Sequence, residues 1–334
     1  MTTKREWVLE AIDGKASGRV PVGFWHHFTS EDEWGLALKK PDIIQKNLKG
    51  HQQFLETTKP DFIKLMSDGF FDYPNAAITP GIQSIRELSE IDTIGENHLW
   101  IEQQIELVKN IRASFPEDIA SFYNIFAPVT YLKWKLAEKV ASGDRIIADF
   151  IKEDPLATKK VLDVIAADIA LLVRRLIRET GIDGIYLSVQ NLQVDDVSKE
   201  DYLQFIKPSE ISVLEAALAE GGKNILHICG YEGASNDLTY YTDYPAHVFN
   251  WAVGPEGISL AQGRQLFGGK TVLGGFENTK QGLLYTGTKE DIQAEVQRLV
   301  AEADQAGLII GADCTIPSDT AIERIAWVKE ALVH

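Results

Sequence analysis

GIYLSVQNLQVDDVSKEDYLQFIKPSEISVLEAALAEGGKNILHICG, residues 184–230, contains one full turn of the pattern that decides the fold. Gly184 to Val189 is a short apolar run of strand-forming residues with no alternation, as expected for a strand covered on both faces. From Lys199 to Glu220 the apolar residues recur as in an amphipathic helix, and Gly221-Gly222 supplies the stop that helix ends favour. Asn224 to Ile228 then opens a second short apolar run. Strand, helix and strand in that order form a parallel βαβ unit.

The same alternation extends to both ends of the chain. Further strand-like runs are Val20–Trp25, Phe62–Met66, Ala120–Phe126, His247–Trp251, Thr271–Gly275 and Leu308–Ala312, giving eight in all. Helical patterns lie between them at Asp42–Thr57, Leu99–Ser114, Pro155–Thr180, Lys289–Ala306 and Asp319–Leu332. Asp154-Pro155 marks a helix start, and Thr180-Gly181 marks an end. An open doubly wound sheet shows similar alternation, so it is the count of eight that selects closure. The expected fold is α/β, a single (β/α)8 TIM-type barrel occupying residues 1–334 as one domain. Residues 67–98 carry weak patterns and are expected to form a loop-rich insertion over the barrel mouth.

Composition narrows the partners. A formal charge of −16 without a Lys- or Arg-rich run disfavours nucleic acid and anionic lipid. No stretch of eighteen apolar residues occurs, and the N-terminus lacks an apolar signal region, so a cytoplasmic protein is expected. The chain has 2 cysteines, too few for a disulfide scaffold and consistent with a reducing compartment.

Both cysteines close strand-like runs. In Asn224-Ile-Leu-His227-Ile-Cys229-Gly230 the two-residue period turns His227 and Cys229 to the same side. In Leu308-Ile-Ile-Gly-Ala-Asp313-Cys314-Thr-Ile-Pro317 the thiol falls at the rim after the last strand. Parallel barrels place their chemistry at the carboxyl ends of strands, where these three side chains can converge. One imidazole and two thiolates suit Zn²⁺, with a fourth position for water or substrate. On spacing alone, the same cysteines are equally readable as small buried hydrophobes.

His227-Ile-Cys229-Gly230 and Cys314-Thr-Ile-Pro317 resemble the H-x-C-G and C-x-I-P signatures of zinc-dependent corrinoid methyltransferases. These include the methylcobamide:coenzyme M methyltransferases and belong to the uroporphyrinogen decarboxylase superfamily. The resemblance covers residues 180–332 most strongly, through Gly274-Gly275-Phe-Glu277-Asn278 and Tyr285-Thr-Gly-Thr288. It implies a TIM-type barrel and zinc held by His227, Cys229 and Cys314. It also implies a small-molecule thiol acceptor and methylcobalamin supplied by a partner corrinoid protein. Two departures stand out. Gly275-Phe-Glu277-Asn278-Thr279 replaces the common G-N-V-D-P. Gly23-Phe24-Trp25-His26-His27-Phe28 lacks the arginines with which true decarboxylases hold porphyrinogen carboxylates. Decarboxylation of uroporphyrinogen is therefore the alternative activity, and a non-catalytic zinc-binding barrel the third reading.

Other candidates follow from strand ends. Asp68 stands in an S-D context like that of the superfamily decarboxylases' catalytic aspartate, although Asp-Gly is also an ordinary turn. His26 and His27 end the first run and offer a general base or a fourth ligand. Tyr123, Gln190 and Asn250 end the third, fourth and sixth runs as candidate substrate contacts. Glu277, after the seventh, is preferred over Asn250 for completing the zinc shell, because a carboxylate is the better donor.

Overall fold

A computed structural model describes residues 3–15, 18–137, 139–303 and 305–332. Residue 304 of the expected helix Lys289–Ala306, and residues 1, 2, 16, 17, 138, 333 and 334 of the expected domain, lie outside this set. Eight parallel strands pair in the order β1-β8-β7-β6-β5-β4-β3-β2, forming a nearly closed (β/α)8 barrel ringed by helices. The strands are β1 (Val22–Gly23), β2 (Phe62–Leu65), β3 (Ala120–Phe126), β4 (Gly184–Val189), β5 (Lys223–Ile228), β6 (Val248–Trp251), β7 (Thr271–Phe276) and β8 (Leu308–Ala312). Each expected run coincides with a strand: β3, β4 and β8 match to the residue, and the other five differ at their ends by one or two residues.

The opening between β1 and β2 accounts for the shortening of β1 from the expected Val20–Trp25. Side chains close it in place of a backbone ladder. Asp61 accepts the Val22 N–H at 2.9 Å and pairs with both terminal nitrogens of Arg19 at 2.8 and 2.7 Å. Gly23 then packs directly on the Phe62 ring, where any Cβ would lie 2.2 Å from Phe62 Cζ.

The barrel interior is filled by alternate strand residues, among them Phe62, Met66, Phe122, Tyr186, Ile225, Val248, Leu273 and Ile309. Helix Lys4–Ile12, which the sequence reading did not assign, buries Val8 and Ile12 against this group and closes one end of the barrel. Helices Pro128–Leu136 and Val140–Glu153 were likewise unassigned. The expected helix Lys199–Glu220 is broken into Lys199–Asp201, a π-helical turn Tyr202–Ile206, and Lys207–Ala219. The insertion reaches the mouth only near Phe71 and Asp72. Beyond them it runs down the outside, where Tyr73 donates to Asp168 at 2.5 Å and Ile94 N–H to the same carboxylate at 3.0 Å. No helix among the described residues is long and apolar enough to cross a membrane.

Candidate metal centre

β5 delivers His227 and Cys229 to the mouth on one face, and the turn after β8 delivers Cys314. Their ligand atoms all lie within 4.8 Å of one another, with Cys314 Sγ 3.3 Å from His227 Nε2. The spacing suits three donors around one ion.

The tautomer of His227 is fixed by its surroundings. Asn250, opposite it in the β5–β6 register, donates through Nδ2 to the Leu273 and Ala312 carbonyls at 2.8 and 3.1 Å. Carbonyl oxygens only accept, so the amide orientation is set and Oδ1 faces the imidazole. Oδ1 lies 2.5 Å from His227 Nδ1 and accepts the Tyr186 O–H at 2.6 Å. Burial holds the Tyr186 phenol well above its ordinary pKa, so it remains a donor. Nδ1 must therefore carry the proton, which leaves the Nε2 lone pair aimed at the thiols. This is the arrangement a metal-ligating histidine requires.

The two thiols lie side by side, their sulfurs within 4.8 Å of each other. Donation from Cys229 holds Cys314 well below the ordinary thiol pKa, and the positive charge of Lys64 acts in the same direction. The same bond pushes Cys229 well above it. Lys64 lies inside the barrel, 4% exposed, with Nζ 4.0 Å from the Tyr186 ring centroid and 5.3 Å from that of Trp25. Burial pulls its ammonium down to about 8, opposed chiefly by attraction to the two cysteines. It is the buried cation nearest in effect to the triad. Asp313, beside Cys314, is pushed up to about 7 by burial. Its Oδ1 has no hydrogen-bond partner among the described residues.

The other sequence candidates take varied places. Asp68 is fully buried, its carboxylate saturated by His27 Nδ1 at 2.7 Å and the N–H groups of Phe28 and Thr29 at 2.7 and 3.3 Å. It orients His27 and does not open on the mouth. His27 packs on Trp34, ring centroids 4.1 Å apart, and borders the same cavity as Cys314. His26 turns the other way, its Nδ1 2.9 Å from the His27 carbonyl and its ring against Phe28 and Phe54.

Four expected contacts are redirected. Tyr123 faces outward and donates to Gln104 at 2.8 Å, because it is Phe122 and Asn124 that point inward on β3. Gln190 Nε2 donates to the Cys229 and Tyr231 carbonyls at 3.3 and 3.0 Å, while Oε1 accepts from Lys133 at 3.1 Å. Its amide thus braces the Cys229 turn. Asn250 is committed beneath the triad as described. Glu277 is exposed and accepts from Thr279, so it is not with the three donors.

The sequence reading passed over Lys64 and Asp313. Lys64 is legible in retrospect as a charge in the middle of an otherwise apolar strand, Phe62-Ile-Lys64-Leu-Met66, where both faces are covered.

A parallel barrel with a His-Cys-Cys donor set at its mouth defines a class of metal-binding barrels that fit zinc. The chain belongs to the uroporphyrinogen decarboxylase (URO-D) family, whose family model matches residues 71–333. No curated protein matches it by sequence. Among solved structures, a methyltransferase from Methanosarcina mazei superposes with a TM-score of 0.73 at 17% identity, covering 99% of this chain and 98% of that one. A B12-independent methionine synthase from a Shewanella species gives 0.57 at 10% identity, over 94% and 97% of the chains. A putative vitamin-B12 independent methionine synthase from Listeria monocytogenes gives 0.58 at 12%, over 95% and 98%. At these identities the likeness is one of fold.

Proposed function

We propose that this chain is a cytoplasmic, zinc-dependent methyltransferase, acting as one domain, that moves a methyl group from a corrinoid protein to a small-molecule thiol. The observation that carries the reading is the Asn250-fixed His227 tautomer, which aims a neutral nitrogen at two thiols. With Nδ1 protonated and held by Asn250, the neutral ring offers its other nitrogen beside both thiols, as a metal ligand must.

His227, Cys229 and Cys314 would hold the ion. Bound there, zinc lowers the pKa of an acceptor thiol and orients its sulfur. Asn250 and Tyr186 keep the imidazole in its ligating form. Lys64 places positive charge beneath a centre that becomes more negative when a third sulfur arrives. Gln190 holds the Cys229 turn, His27, set by Asp68, borders the same cavity as Cys314, and the proton the acceptor loses is released to solvent. The methyl group, supplied as methylcobalamin on the partner, ends on the acceptor sulfur as a thioether.

Decarboxylation of uroporphyrinogen suits these residues less well. Asp68 is spent on His27 and two backbone amides, and no Lys or Arg borders the mouth hollows among the described residues. A substrate bearing eight carboxylates needs such groups.

The test is to incubate the zinc-loaded protein with methylcobalamin and a panel of thiols, and to follow thioether by mass spectrometry. Wild type should form thioether, and the Cys229→Ser, Cys314→Ser double variant should be slower by about 100-fold or more. Equal rates in the two proteins would refute the reading.

A further inference from the structure

Three hollows meet at the barrel mouth. One of about 730 Å³ extends from His27 and Trp34 to Cys314. A slot of about 70 Å³ is walled by Trp34, Phe71, Phe126 and Trp134, and Cys229 borders it. An adjoining hollow of about 270 Å³ carries Glu31, Asp72 and Glu232. Trp34 and Tyr231 border all three, so the hollows adjoin.

The charge of this space has one sign. Among the described residues no Lys or Arg lines it. Lys135 reaches its edge only to pair with Asp72, Nζ to Oδ1 2.7 Å. The His27 ring is met by Asp68 at 2.7 Å, and Lys64 lies below the triad inside the barrel. Glu31 accepts the Tyr231 O–H at 2.9 Å, and no cation among the described residues pairs with it. The slot's rings pack on one another, with Phe71–Phe126 and Phe126–Trp134 centroids both 4.6 Å apart and Trp34–Phe71 5.4 Å. Aromatic walls beside carboxylates attract alkylated cations and repel anions, more so in a chain of net charge −16.

Resting on the thiol-acceptor reading above, we propose that the acceptor carries a cationic alkylammonium end, which occupies the aromatic slot while its sulfur reaches the triad. Cys229 borders the slot itself, so a short spacer between sulfur and nitrogen is enough. An anionic acceptor would place its charge beside acidic side chains, Glu31 among them, with no Lys or Arg among the described lining residues to meet it.

Two measurements test this. The first uses cobalt-loaded protein and three thiols that share a two-carbon spacer: (2-mercaptoethyl)trimethylammonium, 2-mercaptoethanol and 2-mercaptoethanesulfonate. At low ionic strength the ammonium thiol should half-saturate the sulfur-to-metal band at a concentration at least about tenfold below the sulfonate, with the alcohol between them. Trp134→Leu and Phe71→Leu should each shrink that ratio. The second measurement follows tryptophan fluorescence of metal-free and metal-loaded protein during titration with tetramethylammonium, which should saturate in both and fail to do so in Trp134→Leu. Equal or tighter binding of the sulfonate, or fluorescence indifferent to tetramethylammonium, would overturn the proposal. Saturation by tetramethylammonium with no thiol raising the band would instead support the cation pocket and remove the thiol-acceptor reading.

Discussion

Asn250 carries the chemistry of the triad without touching an acceptor. Its Nδ2 is held by two carbonyls and its Oδ1 sets the proton on His227 Nδ1. Asn250→Leu should therefore keep the fold yet weaken zinc binding by about 10- to 100-fold, measured by competition with a chelator. An unchanged affinity would show that the tautomer is not held this way. Lys64 invites a different test. If its charge favours a third thiolate, Lys64→Met should retain zinc while raising the pH of half-maximal thiol binding in cobalt-loaded protein by about one unit. No displacement of that midpoint would count against an electrostatic role. The His227-Cys229 and Cys314 positions were legible because strand period and strand ends are properties of the chain itself. The roles of Asn250, Gln190 and Tyr123 were not, since which amide meets which carbonyl, and which face of β3 turns inward, depend on neighbours distant in sequence.

Among the elements, the strands were read nearly to the residue because each is a short apolar run between polar connections. β1 was read too long. Its pairing with β2 is replaced by Asp61 and by the contact of Gly23 with Phe62, which no pattern within β1 reveals. Gly23→Ala should destabilise the protein by about 1–3 kcal/mol in chemical denaturation, because the added methyl meets a ring that cannot retreat. In β7, Gly274 and Gly275 adopt φ of 147° and 110°, a backbone that side chains rarely accept, as the strand approaches Asn250 and Leu299.

The helix Lys207–Ala219 offers a pH test of stability. Glu210 is fully buried, accepts from Tyr202 and Tyr244, and is raised by burial from 4.5 to about 7. A carboxyl whose folded pKa exceeds its unfolded one contributes stability that is complete below about 4.5 and lost as pH rises through about 7. Wild type should accordingly lose up to about 3 kcal/mol more than Glu210→Gln between pH 5 and pH 8 in urea denaturation. Parallel pH profiles would show that Glu210 is not neutral in the folded state.

At the scale of the molecule, the barrel gathers strand ends that are far apart in sequence into one mouth and seals the other end with Lys4–Ile12. Eight repeats made the closure legible. The helix Pro128–Leu136 and the aromatic slot were not, because that helix is buried on nearly every side and its apolar residues keep no single period, whereas Val140–Glu153 keeps a clear helical period that the sequence reading passed over. The central claim is that His227, Cys229 and Cys314 hold a zinc ion with room for the sulfur of an acceptor. X-ray absorption at the zinc edge counts those sulfurs directly. The account predicts two sulfur neighbours at about 2.3 Å in the protein alone, with nitrogen or oxygen completing the shell, and three once an acceptor thiol is added. A sulfur count that stays at two with saturating thiol, or zinc retained at full occupancy by the Cys229→Ser, Cys314→Ser variant, would contradict it.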